Sequence, residues 1–293
     1  MTNADEYHYK GLSMYEEAIK GGGYAVVTGA ASGVGRVAAL RFAQAGLGVI
    51  LADLPGDKLD EAVAEIRVAA VDGVEVMGKP TDVRKDVDLE ALADLAFREG
   101  PVAVLMNNAG IGGLPTTPWS DLDNWHRLLD VNFHGVLRGL QAFMPRMIEA
   151  NRPAVVINTG SKQGITTPPG NPAYNISKAA VRVLSEQLAH ELRRSGVPIS
   201  AHLFVPGFTY TGMIARSIPD KPASAWTSEQ TVDYFIERMT RGDFYILCPD
   251  NDVDESRDRR RVEWSARDVI ENRPALSRWH PEFTEAFAEF ERS

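Results

Sequence analysis

With 293 residues, 44% hydrophobic and 24% charged, the chain has the composition of a folded α/β domain with an appended tail, not of a disordered polymer. A formal net charge of −9 argues against nucleic acid as the main partner, because phosphate backbones call for clustered Lys and Arg. The lone cysteine, Cys248, excludes an internal disulfide and suits a reducing compartment, and residues 1–20 are too polar for a secretion signal. No stretch is long and apolar enough to span a bilayer, so the expectation is a cytoplasmic protein with no membrane partner.

Residues 1–22 form an N-terminal arm in which Tyr7, Tyr9, Leu12, Met14, Tyr15 and Ile19 fit either a short docked helix or a loose segment, ended by Gly21, Gly22 and Gly23. From Tyr24 onward, short apolar runs read as buried parallel strands at 24–28, 47–52, 74–77, 102–106, 153–159, 199–205 and 244–247. Helical segments lie between them at 35–45, 59–70, 120–149 and 174–194. Ser120 and Asp123 are spaced as a capping pair for the third, and Ala180, Leu184 and Leu188 stack four apart on the fourth. The alternation predicts a doubly wound parallel sheet of about seven strands, Rossmann-like, as a single domain over residues 23–250. Residues 251–293 are then a C-terminal helical tail.

The first strand runs into Gly29-Ala30-Ala31-Ser32-Gly33-Val34-Gly35 and then a helix. Glycines there permit a sharp turn and close approach of a ligand, and the helix start offers free N–H groups to a pyrophosphate. No Gly-Lys-Ser/Thr follows, so this is not the phosphate loop of kinases or ATPases. The second strand ends in Asp53-Leu54, about twenty residues past the glycines, where a carboxylate can accept from an adenosine ribose and repel a 2′-phosphate. No basic residue lies between Gly29 and Gly35 or directly after Asp53, and both absences favour NAD over NADP.

Tyr174-Asn175-Ile176-Ser177-Lys178 sets a Tyr and a Lys four apart at a helix start, hence on one face. Asn107-Asn108-Ala109-Gly110 follows the fourth strand, and Ser161 lies thirteen residues before Tyr174. In the order and spacing of these motifs, over residues 23–213 plus the last strand, the chain resembles the short-chain dehydrogenase/reductase family in its NAD-preferring branch. The resemblance implies that Tyr174 is the general acid/base, that Lys178 lowers its pKa and bonds the nicotinamide ribose, and that Ser161 polarises the substrate oxygen. It implies that Asn132 anchors a water leading to the lysine. Asp82 and Val83 match the adenine-binding pair, Asn108, Ala109 and Gly110 line the cofactor, and Pro206, Gly207, Thr209, Thr211 and Met213 match the segment holding the nicotinamide amide and diphosphate. One departure is Thr159-Gly160-Ser161-Lys162-Gln163, where the family's common form has two adjacent serines.

The physics runs the same way. A free tyrosine titrates near 10, about three units too high for a base at neutral pH, and a neighbouring ammonium favours the phenolate. Ser161 can donate to the oxygen where charge develops. The expected activity is hydride transfer between NAD(H) and a small-molecule secondary alcohol or ketone, by a homodimer or homotetramer. An NADP-linked carbonyl reductase, an epimerase-type relative and a non-catalytic nucleotide-binding protein stay open as alternatives. His126, His134, His190 and His202 have no metal-ligand spacing and read as packing or surface residues. Residues 214–227 read as a substrate-side loop suited to a lid, and the charge-dense 250–261 as a solvated helix face. Trp264, Trp279, Phe283, Phe287 and Phe290 predict that 262–293 is ordered and buries apolar surface.

Overall fold

The computed structural model describes residues 13–113, 115–215 and 218–292. Its seven strands are β1 (Tyr24–Thr28), β2 (Gly48–Asp53), β3 (Val76–Pro80), β4 (Val102–Asn107), β5 (Ala154–Thr159), β6 (Ile199–Val205) and β7 (Tyr245–Leu247). They form one sheet in the order β3-β2-β1-β4-β5-β6-β7, every pair parallel. This is the doubly wound sheet that the alternation of apolar runs and helical periods predicts. The central strands are buried on both faces because helices cover each side. β3 departs most from its predicted span. As the edge strand it buries only Val76, then alternates half-buried and exposed residues and ends on Pro80, so it lacks a continuous apolar run.

Two cores lie on opposite faces, and alternate residues of one strand feed each. Val27 joins the first with α2 (Gly33–Gln44), α3 (Asp57–Ala69) and α10 (Ser228–Thr240). Val26 joins the second with α4 (Asp86–Glu99), α6 (Gly135–Ala150) and α8 (Pro172–Ser195). The arm contributes α1 (Met14–Gly21), opened by a Ser13–Glu16 capping box, with Tyr15 packed edge-on against Phe42. The arm's Tyr7, Tyr9 and Leu12 lie outside the described residues.

Three expectations need correction. The segment 120–149 is not one helix. It runs as α5 (Leu122–Leu129), a π-helical turn (Asp130–His134) and α6. Its cap is Asp121, whose carboxylate accepts from the Asn124 N–H, while Ser120 bonds Thr116 and Thr117 instead. On α8, Leu184 and Leu188 share a helix face and pack on the second core beside the fully buried Val181 and Ser185. The charge-dense segment opens α11 (Glu255–Ile270), yet Asp258 within it is 4% exposed and paired with Lys162, so this is not a purely solvated face.

The tail folds into helices over Glu255–Ile270 and Thr284–Arg292, joined by two 3-10 turns. Trp264, 5% exposed, is ringed by Phe283, Phe287 and Phe290, and its indole N–H donates to Ser277 at 2.8 Å. Phe287 and Phe290 stand on α12 (Thr284–Arg292), which Glu291 ties back to Arg257 and Arg261 of α11. Between this assembly and the short α7 (Gln163–Thr166) lies a cavity of about 360 Å³ lined by Ile165, Thr167, Val269, Leu276 and Trp279.

Candidate active site

The strand order reverses between β1 and β4, so their C-terminal ends part and open a crevice. Beside it, Gly29 and Gly33 take positive φ of +68° and +57°. A Cβ on Gly29 would lie 2.7 Å from the Ala109 Cα, so the turn after β1 and the strand end of β4 touch backbone to backbone. Ser32 starts α2 without capping it through its side chain, and Thr211 stands against Gly33. Beside them runs a groove of about 350 Å³ walled by Ser32, Gly33, Thr211, Gly212 and Ala215.

Asp53 is held at the rim, one carboxylate oxygen accepting from the Ala31 N–H at 2.8 Å and the other from the Leu54 N–H. Both carboxylate oxygens keep lone pairs for hydroxyl donors. Arg36, the nearest cation to the turn in sequence, is paired with Glu65. Asp82 is gripped by Arg84, whose hydrogen bonds hold its carboxyl below the usual range, and Val83 packs on Gly135. Asn108 ties three strand ends together, donating to the Thr28 and Gly29 carbonyls and accepting from Thr159.

At the far side of the crevice, Asn171 caps α8 by accepting from the Tyr174 N–H, and its amide donates to the Gly113 carbonyl. This places Tyr174 and Lys178 on the first turns of α8. Lys178 Nζ donates to the Thr159 carbonyl at 2.8 Å and lies 6.0 Å from the Tyr174 ring centroid. The lysine is 5% exposed, and burial pushes its pKa down to about 8. Burial raises the Tyr174 phenol, and a hydrogen bond with Ser161 pulls it back. Ser161 follows β5, and its Oγ accepts from the Gln163 N–H.

Asn132 is fully buried in the π-helical turn. Its Oδ1 accepts from the Ile111 N–H, and its amide donates to the Ile111 carbonyl and to Ser177. One side chain thereby clasps the loop after β4 to α8, which accounts for a poor helix former in mid-helix. Gly110 borders the same spot, with a built Cβ 3.4 Å from Asn132 Oδ1 and 3.6 Å from Lys178 Nζ.

The segment after β6 is less uniform. Pro206-Gly207 packs on the backbone of Cys248 and Pro249, where a side chain on Gly207 would not fit. Thr209 turns its hydroxyl inward to Thr231 and the Gly207 carbonyl, and its backbone bridges to Trp226. Met213, on α9 (Gly212–Ala215), stands over Gly112. Loop 214–227 is reached by Asn251, the first residue of the tail, which bonds Ala223 and Ser224, whereas the stretch 265–279 borders Ile165 and Thr167.

Sequence reasoning missed several supports: Asn171, Gly164, Ile111, and the pairing of Lys162 with Asp250 and Asp258. Only Asn171 carried a local signal, as a cap residue directly before a proline. Among the described residues, no group of three His, Cys, Asp or Glu side chains could hold a metal ion, and no helix is long and apolar enough to cross a membrane.

A sheet switch point, a glycine turn feeding a helix N-terminus, and the Tyr174, Lys178 and Ser161 side chains thus border one crevice. The profile of the short chain dehydrogenases matches residues 23–222. A 1-deoxy-11-beta-hydroxypentalenate dehydrogenase of Streptomyces exfoliatus is 36% identical over 71% of this chain and 75% of its own length. A 2,5-dichloro-2,5-cyclohexadiene-1,4-diol dehydrogenase of Sphingobium indicum is 33% identical over 68% of this chain and 78% of its own. Among solved structures, a short chain dehydrogenase/reductase from Burkholderia phymatum in complex with NAD superposes with a TM-score of 0.77 at 31% identity, covering 86% of this chain and 95% of that one. One from Sphingobium yanoikuyae in complex with NADPH gives 0.71 at 26%, covering 85% and 94%. The chain belongs to the short-chain dehydrogenase family. It is an oxidoreductase of the group acting on alcohol- or ketone-type substrates, on a fold that binds a nicotinamide cofactor.

Proposed function

We propose that this protein is an NAD-dependent dehydrogenase of secondary alcohols, with Tyr174 as general acid/base. The observation that carries the reading is Lys178, an ammonium buried beside the Tyr174 ring with a backbone carbonyl as its hydrogen-bond partner. Such a cation favours the phenolate and keeps two further donors for ribose hydroxyls. The donor set suits the cofactor: free N–H groups at the start of α2 for a diphosphate, and Asp53 for ribose hydroxyls. Asp53 would repel a 2′-phosphate, and the Arg36 charge is already met by Glu65, so NAD is favoured over NADP. Ser32 to Gly35 would hold the diphosphate, with Thr211 beside it. Asp82 and Val83 would border the adenine, Leu54 the ribose, Asn108 to Gly110 the central wall, and Pro206, Gly207, Thr209 and Met213 the nicotinamide side.

In the direction of oxidation, Ser161 donates to the substrate oxygen and Tyr174 Oη takes the hydroxyl proton as the carbon–hydrogen bond breaks. The bound nicotinamide supplies the acceptor for that hydride. Asn132 fixes the loop after β4 against α8, which holds Lys178 and Tyr174 in register with Gly110. The ring alcohols in the names of the two relatives make alicyclic secondary alcohols the first probes. We extend the proposal to a closed homo-oligomer, to the cytoplasm, and to a division into arm 1–22, core 23–250 and tail 251–293.

The test is turnover of NAD with cyclohexanol and cyclohexane diols, read at the NADH absorbance. Tyr174→Phe should keep NAD affinity and lose about 10²–10⁴-fold in kcat. Near-normal turnover in that variant removes Tyr174 from the reaction.

A further inference from the structure

Lys162 follows Ser161 directly, and its side chain leaves the Ser161 turn for the tail. Its Nζ lies 2.6 Å from an Asp258 carboxylate oxygen and 3.4 Å from Asp250 Oδ2. The side chains are 17%, 6% and 7% exposed respectively, so the three charges are largely out of water. Asp250 Oδ2 also accepts from the Phe208 N–H at 3.1 Å, and its Oδ1 accepts from the Asp252 and Val253 N–H groups. Burial pushes the Asp258 carboxyl up, and the Lys162 ammonium pulls it back toward the charged form. Through the two carboxylates, the ammonium of the Ser161 turn is linked to α11 of the tail and, by way of Asp250 in the segment after β7, to the Phe208 loop. The two aspartates lie outside residues 23–222, which the family profile matches.

We propose that Lys162, Asp250 and Asp258 form a buried charged latch that positions the Ser161 turn and the Phe208 loop against each other, making the tail a working part of the reaction site. The proposal rests on the reading of Ser161 and the 206–213 segment as reaction-site residues. A buried ion pair is a poor source of stability, since desolvation offsets much of the attraction. What it supplies is geometry: an ammonium facing two carboxylates has few alternative places to sit. Lys162 is a positioning residue here, because it acts through Ser161 and Phe208.

The test compares the full-length protein with four variants: Lys162→Met, Asp258→Asn, Lys162→Arg and the double Lys162→Met/Asp258→Leu. Lys162→Met leaves two buried carboxylates without their cation and is expected to melt lowest, whereas Asp258→Asn keeps the Lys162–Asp250 pair and should lose less. The double variant removes the closest pair and leaves only Asp250, still held by the Phe208, Asp252 and Val253 N–H groups, so it should recover much of the melting loss of Lys162→Met. Despite that recovery, its backbone amides at 161–167 and 206–213 should exchange about tenfold faster. Its kcat on cyclohexanol should fall about tenfold. Lys162→Arg, which keeps the charge, should hold kcat within about threefold. Unchanged exchange in both segments of the double variant overturns the latch, and so does full recovery of kcat there. If the wild type turns over no alcohol, the proposed activity fails, and the exchange measurement still decides the latch.

Discussion

Gly164→Ala isolates the contact that seats Ser161 beside Tyr174. Gly164 lies on α7, and a Cβ there would meet the Lys178 carbonyl carbon at 2.5 Å, its oxygen at 2.7 Å and the Ala179 nitrogen at 2.8 Å. All three are backbone atoms of the long α8 and cannot rotate away. Ordinary contact begins at 3.4 Å, so the two helices must part by about 0.9 Å. The position carries no positive φ, and alanine is favoured over glycine in a helix by about 1 kcal/mol, so local propensity works against any loss. The displacement reaches Ser161 directly, because the Gly164 N–H donates to the Ser161 carbonyl at 2.9 Å. A shift near 1 Å in a reacting group costs about 10²-fold in rate. We expect kcat on alicyclic alcohols to fall by about that factor. NAD affinity should stay within about twofold, since the turn at 29–35 is untouched. Stopped-assay kinetics, a binding titration and a melting curve separate these quantities. A variant with wild-type kcat and melting temperature would refute the reasoning, showing that α7 does not set the position of Ser161.

Asp53→Asn should raise kcat/KM with NADP relative to NAD by about 10–100-fold, from lost repulsion and a weakened ribose bond. A wild type that already prefers NADP overturns the reading of that strand end. Lys178→Met should abolish turnover and yet raise the melting temperature at pH 7. Burial lowers the folded-state pKa to about 8, below the unfolded value, so the unfolded chain binds more protons between them and the lysine's destabilisation fades as pH rises from about 8 to 10.5. The melting advantage of Lys178→Met should shrink over that window, and an advantage flat with pH would contradict it. Trp264→Ala should cost about 3–5 kcal/mol by emptying the centre of the Phe283–Phe287–Phe290 ring, read as a loss in denaturant midpoint. A loss below about 1 kcal/mol would show that the ring is not packed as described.

The amino-acid sequence determined the sheet and the principal cluster. Strand periodicity, the glycine turn and the four-residue spacing of Tyr174 and Lys178 are local patterns, and local physics fixes what they become. The same patterns could not reveal the break in helix 120–149, because a π-helical turn arises only where Asn132 must clasp Ile111 across the crevice. They misplaced β3, since an edge strand buries one side only and gives no continuous apolar run. They read Asp258 as solvated, because a carboxylate in a charge-rich stretch looks the same whether it faces water or an ammonium ninety-six residues away in the chain. Gly164 carries no local pattern at all, since what makes it necessary is the Lys178 backbone of another helix. Spacing along the chain specifies which residues share an element. Which side chains meet across elements depends on how those elements pack, and only the tertiary structure decided that.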